Sequence, residues 1–510
     1  MSGFAGIWTD GNVEFDREPL TRDGHVCLIA DHGFDGEEQI FQAYEKWGEK
    51  CVEHLVREFA FAIWDKRLRR LFCARDHFGV KPFFYARVGN SFVFSNQLNA
   101  LRLDPRVSDE LNETAVGDYL AFGANQDLSS TIFRDIQRLP AAHTLTVSSD
   151  GSITTRRYWA PVVKDEIRFR DEQSYVDRFT ELLTTAVRDR LRTNRVSISM
   201  SGGLDSTSLA VIARDLLAGV KGYSNVYDKL IPDEERHYST LAASSIGIPI
   251  HHNAADKYGL FEGELNQPEP FLISPLGGQF NDLLKLMAEN GSVALTGYDG
   301  DALMNEARRV RPAWVKFFKL KKSPTTPDYP RWIDGSFAKR IKLKERVSEY
   351  WSQPPVDKRR PATLRALQSK VWTPLLEGYD PGATRLPLEV RHPFLDVRLV
   401  EYILAIPTKP WCVKKHILRR AMKDRLPAAV LNRPKTPLAG DPALQLSRGP
   451  GVRWLDSFDV SPQLTRFVNL RLRRPLAEEE TPDALWASLR LFGLNHWLVH
   501  SLPLDRRKVA

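Results

Sequence analysis

Cysteine is scarce in this sequence, and long apolar runs are missing altogether. The cysteines are far apart, with no C-x-x-C pair and no His/Cys cluster at the spacing of metal ligands: Cys27, Cys51, Cys73 and Cys412. These absences exclude a disulfide framework and a zinc site, and they predict buried free thiols. No stretch of 18 apolar residues and no basic-then-apolar leader occurs. We therefore predict a cytoplasmic protein that does not enter a membrane.

A compositional sign of disorder is also absent, because 42% of the residues are apolar and 27% are charged. The 510 residues suffice for two or three domains with full cores. Lys and Arg concentrate in the segment 308–346, where aromatic residues such as Trp314 and Phe317 are interleaved. This basic segment fits either a surface for an acidic peptide or an ordinary solvated helix. Nothing in it has the pattern of an RNA-binding module, so we expect no nucleic-acid partner.

The segment 196–213, VSISMSGGLDSTSLAVIA, combines a strand pattern, a glycine turn and an apolar helix pattern. Such a unit is an anion site, because helix amides, the positive helix end and nearby hydroxyls can converge on one phosphate. The alternative is an ordinary turn in which a serine caps the helix. The residues that would form the phosphate site here are Ser201, Gly202, Gly203, Leu204, Asp205 and Ser206.

Asp205 is an acid beside a phosphate cradle, which makes sense if a divalent cation lies between carboxylate and phosphate. A Walker loop is missing, so the bound phosphates are predicted to be a pyrophosphate. The motif SGGLDS resembles the pyrophosphate loop of enzymes that cleave ATP between the α and β phosphates, such as asparagine, GMP and NAD synthetases and a tRNA-lysidine ligase. The resemblance implies ATP and Mg²⁺ as cofactors.

A second strand pattern, in residues 294–301, leads into a turn with acids, ALTGYDGD. Gly297 would lie at the nucleotide, and Asp301 could share the Mg²⁺ with Asp205. The alternative is a surface Asp-Gly turn. The segment resembles the SGEGSDE segment of asparagine synthetase, with Tyr298 where that family has a glutamate.

β-Lactam synthetase, a relative in that family, reads TGYGAD here, and its tyrosine works with a glutamate to take the proton from an attacking amine. This resemblance implies that Tyr298 is catalytic, since a phenol can relay a proton when a carboxylate holds it. Residues 388–396, LEVRHPFLD, are similar to the family's VEARVPFLD, and Glu389 is the candidate glutamate. A structural ion pair between Glu389 and Arg391 is the alternative.

The third resemblance is in residues 416–438, HILRRAMKDRLPAAVLNRPKTPL, which are similar to the family's KHILR...LP...R-x-K segment. It implies that Lys435 reaches the transferred phosphates, with Arg433 beside it in the nucleotide site. A fixed cation in a dry site stabilises developing negative charge by several kcal/mol. The alternative is a solvated lysine in a proline-bracketed loop.

The amino-terminal third predicts strands at 4–8, 59–65, 70–76, 82–88 and 91–95, and a helix at 37–47. Residues 59–85 resemble the glutaminase domain of asparagine synthetase, a class II glutamine amidotransferase. In that family a cysteine after the initiator methionine is the nucleophile. Ser2 stands there in this sequence. Asp35 could match the family's acid, but the segment around it lies closer to the opening strand than the family's pattern implies. We therefore predict a degenerate, shortened domain without glutaminase activity.

Strand and helix patterns alternate after residue 172, which predicts a parallel, doubly wound sheet with ligands at the carboxyl ends of its strands. The predicted fold is α/β: an Ntn-type αββα sandwich in residues 1–161, and a doubly wound pyrophosphate-loop synthetase domain with helical additions in residues 172–510.

These features together predict an ATP-dependent ligase that adenylates a carboxylate, releases AMP and pyrophosphate, and couples the carboxyl group to an amine. Its resemblance to lasso peptide cyclases and to β-lactam synthetase favours macrolactam or isopeptide closure of a lasso-type peptide. The expected partners are then a peptide or small amino-acid substrate, a leader-binding protein and a protease. The alternatives are an asparagine synthase that uses ammonia or glutamine, and an inactive ATP-binding scaffold.

Overall fold

The computed structural model describes residues 3–33, 36–263, 267–306, 329–352, 357–433, 440–449, 458–479 and 481–503. Ser2, Asp35, Lys435 and most of the basic segment lie outside the described residues. All four cysteines are free and buried, as predicted. No described helix is long and apolar enough to cross a membrane.

The amino-terminal region contains two antiparallel sheets, ordered β2-β1-β8-β7-β9 and β11-β10-β6-β5-β4-β3. Its strands are β1 (Ala5–Thr9), β2 (Asn12–Phe15), β3 (Leu20–Arg22), β4 (Val26–His32), β5 (Phe59–Asp65), β6 (Arg70–Arg75), β7 (Phe84–Val88), β8 (Ser91–Ser95), β9 (Ile136–Arg138), β10 (His143–Val147) and β11 (Ile153–Arg157). Its described helices are α1 (Glu38–Trp47), α2 (Leu98–Leu101) and α3 (Glu113–Phe122).

The two sheets pack face to face through an apolar core that includes Phe83 and Phe94, whose rings stack 6.0 Å apart. Helix α1 covers the outer face of the second sheet with Ile40 and Phe41. Helices α2 and α3 cover the outer face of the first sheet. The layers therefore run helix, sheet, sheet, helix, which confirms the predicted αββα sandwich.

The carboxy-terminal region is built on a five-stranded parallel sheet ordered β14-β13-β12-β15-β16. Its strands are β12 (Arg195–Ser199), β13 (Gly219–Val226), β14 (Ile250–Ala254), β15 (Val293–Thr296) and β16 (Glu389–Arg391). The predicted strand–helix alternation is confirmed. The chain moves outward from β12 to β14 and then returns to the other side of β12, so a topological switch point lies between β12 and β15.

The described helices of the carboxy-terminal region include several that the sequence pattern did not predict. They are α4 (Glu172–Arg188), α5 (Leu204–Leu216), α6 (Glu235–Ile246), α7 (Gly277–Asn290), α8 (Gly300–Leu303), α9 (Gly335–Arg340), α10 (Leu343–Ser352), α11 (Pro361–Leu367), α12 (Trp372–Glu377), α13 (Pro381–Thr384), α14 (Val397–Ala405), α15 (His416–Ala421), α16 (Ala428–Leu431), α17 (Pro442–Ser447) and α18 (Pro482–His500).

Buried ion pairs join the two regions. Glu377, at the end of α12, accepts hydrogen bonds from Arg75 at 2.8 Å and from Arg138 at 2.8 and 3.0 Å. Arg138 also pairs with Glu269. All four side chains are at most 4% exposed, so the charges at this interface compensate one another away from water.

Candidate active site

The loop after β12 turns sharply at Gly202, where φ is 66°. A Cβ atom on Gly202 would lie 2.5 Å from the backbone nitrogen of Ser239, so this position requires glycine. Helix α5 then begins at Leu204. The residue before it, Gly203, occupies the N-cap position and has no side chain that could cap the helix. The amides of its first turn are therefore available to an anion, as the sequence predicts.

Two serines hold this loop in shape. The Ser206 hydroxyl accepts a hydrogen bond from the Ser201 amide at 3.3 Å and donates one to the Gly203 carbonyl at 3.4 Å. Leu204 is buried and anchors the start of α5 in the core of the parallel sheet. These contacts pre-form a cradle before any ligand arrives.

The loop after β15 packs directly against this cradle. A Cβ atom on Gly297 would lie 2.8 Å from the Ser206 nitrogen, and one on Gly300 would lie 2.6 Å from Cγ of Asp205. Asp299 between them has a left-handed backbone, with φ of 67°. The two predicted nucleotide segments therefore meet at the switch point of the sheet.

Asp205 and Asp301 converge on one cation, the ammonium group of Lys415. Lys415 Nζ lies 2.5 Å from Asp205 Oδ2 and 2.7 Å from Asp301 Oδ1. The backbone of Lys415 is left-handed and donates to the Met304 carbonyl at 2.9 Å, which fixes it to the segment that carries Asp301. Desolvation lowers the pKa of Arg419, one turn into α15, and the charge of Asp205 opposes this shift.

These residues fit a bound magnesium nucleotide. Oδ1 of Asp205 is buried without a hydrogen-bond partner among the described residues, which suits a carboxylate that binds a cation. Two carboxylates with phosphate oxygens and water make a suitable oxygen set for Mg²⁺. No group of three His, Cys, Asp or Glu side chains in the described part of the chain could hold a metal alone.

Arg433 contacts the phosphate loop from the outside. Its guanidinium donates to the Ser201 carbonyl at 3.0 Å, pairs with Glu235 at 3.1 Å and lies 4.1 Å from the centre of the Tyr238 ring. It therefore supports the backbone of the cradle. The predicted phosphate contact of Lys435 falls outside the described residues.

Tyr298, beside Gly297, hydrogen-bonds to the Tyr379 hydroxyl at 2.9 Å. Glu389, the candidate partner of Tyr298, accepts instead from Arg391 at 2.6 and 3.1 Å. Glu389 therefore makes the ion pair with Arg391 that the sequence offered as the alternative. The two side chains can meet because residues two apart lie on the same face of strand β16. Any catalytic role of Glu389 stays a prediction.

Sequence reasoning missed Lys415, Arg419 and Tyr379 as site residues. Lys415 and Arg419 are the first and last residues of the sequence KHILR at 415–419, which matches the family's motif, so that resemblance was an available signal. Tyr379 has no motif around it, and its partner Tyr298 is 81 residues away in the chain.

Comparisons with known proteins agree with this geometry. A family described as "Glutamine amidotransferase domain" matches residues 30–159, and one described as "Asparagine synthase" matches residues 178–498. "Asparagine synthetase [glutamine-hydrolyzing] 3" of Bacillus subtilis is 30% identical over 465 residues, which is 84% of this chain and 73% of that protein. "Asparagine synthetase [glutamine-hydrolyzing] 2" of the same organism is 25% identical over 449 residues, 78% of this chain and 58% of that protein.

A putative asparagine synthetase of Methanocaldococcus jannaschii is 32% identical over 181 residues, 35% of each chain. The match to the asparagine synthase model spans more than half of the sequence, including both loops at the switch point. The chain therefore belongs to the asparagine synthase family of ATP-dependent ligases that form carbon–nitrogen bonds.

Proposed function

We propose that this chain activates a carboxylate with ATP as an acyl adenylate and then joins it to an amine carried by the same substrate. The observation that supports this most directly is the convergence of Asp205 and Asp301 on one cation at the switch point. Mg²⁺, when bound by these two carboxylates, would neutralise the pyrophosphate as it leaves.

The chain's own groups would supply the remaining electrostatics of adenylation. The amides at the start of α5 would bind phosphate oxygens, and Lys415 and Arg419 would offset the charge that develops on them. Lys435 keeps its predicted role at the same phosphates.

The amine step requires a group that accepts a proton, because an amine near neutral pH is largely protonated. Tyr298 follows Gly297, which packs against the phosphate loop, and stands where asparagine synthetase has a glutamate and β-lactam synthetase has a tyrosine. The Tyr298 hydroxyl could take a proton from an amine of the same substrate molecule that carries the activated carboxylate. This role supports ring closure of a lasso-type peptide in the cytoplasm. A leader-binding protein and a protease would then be the partners.

A second candidate is asparagine synthesis from aspartate with ammonia or glutamine. It is favoured by the names of the relatives, which are asparagine synthetases described as glutamine-hydrolyzing. An inactive ATP-binding scaffold is the third, and the assembled acid pair argues against it.

ATP–pyrophosphate exchange tests these alternatives. A leader-free peptide with a free α-amine and an internal glutamate should support exchange, AMP release and a product lighter by one water. If L-aspartate alone supports exchange and yields asparagine with ammonium, the second candidate is correct. The absence of exchange with both substrates would leave the scaffold.

A matched pair of variants tests the site itself. Asp205→Asn should abolish exchange, because it removes a charge from the cation site. Asp215→Asn, on the exposed last turn of the same helix, should leave exchange unchanged. Equal activity in the two variants would contradict the proposed metal site.

A further inference from the structure

A basic surface is built by two chain segments that lie side by side in the carboxy-terminal region. Residues 331–335 run antiparallel to residues 466–470, because Ile333 and Val468 form an antiparallel bridge. Helix α9 begins at the end of the first of these segments. Side chains from both segments and from α9 are therefore neighbours along this surface.

Exposed cations are concentrated on this surface, and we call them the basic band: Arg331, Lys339, Arg340, Lys342, Arg466 and Arg471. In the described stretches 329–349 and 464–474, Lys and Arg clearly outnumber Asp and Glu. The first stretch is the described part of the basic segment, for which the sequence offered either a peptide surface or a solvated helix. The local charge is therefore strongly positive, on a chain whose formal net charge is +8.

Two arginines of the band, Arg340 and Arg466, meet at the single carboxylate of Glu113 on α3. Nε and Nη2 of Arg340 lie 2.7 and 3.1 Å from the two oxygens of Glu113, which is the bidentate geometry of a guanidinium and a carboxylate. Nη2 of Arg466 lies 3.5 Å from Oε1 of the same group. One negative charge therefore serves two guanidinium groups, although the side chains of Arg340 and Arg466 remain 50% and 53% exposed.

Aromatic rings beneath these two arginines fix their positions. Cζ of Arg340 lies 5.7 Å from the centre of the Phe337 ring, and Cζ of Arg466 lies 5.4 Å from the centre of the Phe467 ring. The two rings pack edge to face with their centres 5.1 Å apart, and both are buried. The guanidinium groups are therefore held in place in advance, so less side-chain entropy is lost when they bind an anion.

The basic band stands on a different apolar core from the phosphate cradle. Phe337 and Phe467 belong to the core that packs α3 and α18 together, whereas Leu204 of the cradle belongs to the core of the parallel sheet. A molecule bound to the band is therefore not held by the core that shapes the cradle. The band thus fits a docking role rather than contact with the reacting groups.

An acidic peptide fits the band better than a nucleic acid does. The rings of the band are buried, with Trp332 5% exposed and Phe337 and Phe467 0% exposed, so none of these three can stack on a base. Phosphate contacts alone would give binding without sequence preference that salt weakens steeply. A carboxylate, by contrast, is the anion that Arg340 already binds in planar, bidentate geometry.

We propose that the basic band is the docking surface for an acidic segment of a partner protein, with Arg340 and Arg466 as its central contacts. Glu113 uses only Nε and Nη2 of Arg340 and only Nη2 of Arg466. Carboxylates of the partner would take the remaining guanidinium donors. Docking at the band involves no reacting group, so it is independent of the ligase reaction.

Fluorescence anisotropy on the full chain tests the docking, with a labelled peptide in which glutamate alternates with serine. The test variant combines Arg340→Gln with Arg466→Gln. The matched control combines Arg156→Gln with Arg178→Gln, because these arginines are 47% and 48% exposed and each pairs with one glutamate elsewhere on the surface. Both double variants lose the same charge, so attraction by net charge alone cancels when they are compared.

We expect the Kd for the peptide to rise at least about 10-fold in the test variant and to stay within about 2-fold of the wild type in the control. Arg340→Lys with Arg466→Lys should raise the Kd about 3-fold, since lysine keeps the charge but cannot pair bidentately. The wild-type Kd should rise between about 50 and about 200 mM salt, because salt screens exposed charges. Exposed ion pairs contribute little to stability, so the melting temperatures of all variants should match.

Four outcomes would overturn the docking surface. Absence of peptide binding by the wild type would remove its ligand, and equal weakening in the test and control variants would show attraction by net charge alone. Single-stranded DNA that binds more tightly than the peptide, and that loses this affinity in the test variant, would make the band a nucleic-acid site. A higher KM for the carboxylate substrate of exchange in the test variant would make the band part of the substrate site.

Discussion

The ammonium group of Lys415 lies 2.5 Å from Oδ2 of Asp205, although the two residues are 210 positions apart in the chain. The same nitrogen contacts Asp301, so one cation neutralises two carboxylates that face each other. A divalent metal between these acids would compete with Lys415 for the same oxygens. Lys415 thus keeps the acids together, and we expect it to turn toward phosphate oxygens when a metal takes its place.

Lys415→Met tests this arrangement with two readouts. Exchange of pyrophosphate into ATP should fall roughly 10²-fold or more, because a cation at the developing charge is lost. Mg²⁺ alone should bind more tightly in calorimetry, since no ammonium competes for the carboxylates. The exposed neighbour Lys414→Met should change neither value. Unchanged exchange and weaker Mg²⁺ binding in Lys415→Met would contradict the assignment.

Gly297→Ala should separate the two loops of the cradle. The added Cβ would meet the Ser206 nitrogen at 2.8 Å, which is backbone and cannot swing away. We expect the Kd for ATP to rise at least about 10-fold while the melting temperature changes little. Gly335→Ala, where nothing lies within 4 Å of the new methyl group, is the matched control and should bind ATP normally. Normal ATP binding by both variants would show that the loops need not touch.

The sequence predicted several of the strands that carry their own apolar signal, although it missed β4, which is almost entirely buried. β5 and β8 match their predicted bounds, because nearly every residue in them is buried. β2 and β3 were missed, since they are short, half-exposed strands that exist only by pairing with neighbours. The parallel sheet followed from the alternation of strands and helices, which local patterns reveal.

The sequence predicted those residues of the candidate site that lie in a glycine-containing turn directly after a strand. Asp205 and Asp301 could be found because each loop reads as a ligand-binding turn in isolation. Lys415 had a signal only in its resemblance to the lysine of KHILR, and its contact with both acids was not predictable because it depends on a left-handed backbone held by Met304. The contact of Tyr298 with Tyr379 rather than Glu389 likewise depends on tertiary packing that no local pattern encodes.

Glu377→Gln tests the buried ion pairs between the regions. The substitution leaves Arg75 and Arg138 buried with less negative charge, so the free energy of unfolding should fall by roughly 3–5 kcal/mol. Urea unfolding measures this change. Glu181→Gln breaks an exposed pair with Arg178 on α4 and should cost no more than about 1 kcal/mol. Similar midpoints for the two variants would mean that the interface charges do not stabilise the fold.

Asp380→Asn should stabilise the protein above neutral pH. Folding buries Asp380 and thereby raises its pKa from 3.8 to about 7. Between these two pH values the folded state therefore binds a proton that the unfolded state does not. Its contribution to stability is therefore lost as the pH rises through 7, and at pH 8 the fold carries a buried charge. Asparagine caps α13 equally well without that charge.

The free energy of unfolding at pH 8 should rise by on the order of 2–4 kcal/mol in Asp380→Asn, and the gain should vanish as the pH falls toward 4. Asp171→Asn is the matched control, because Asp171 caps α4 in the open and the Ser174 amide lowers its pKa. That variant should gain nothing at pH 8. A gain for Asp380→Asn that persists unchanged at pH 4 would mean that charge burial is not its cause.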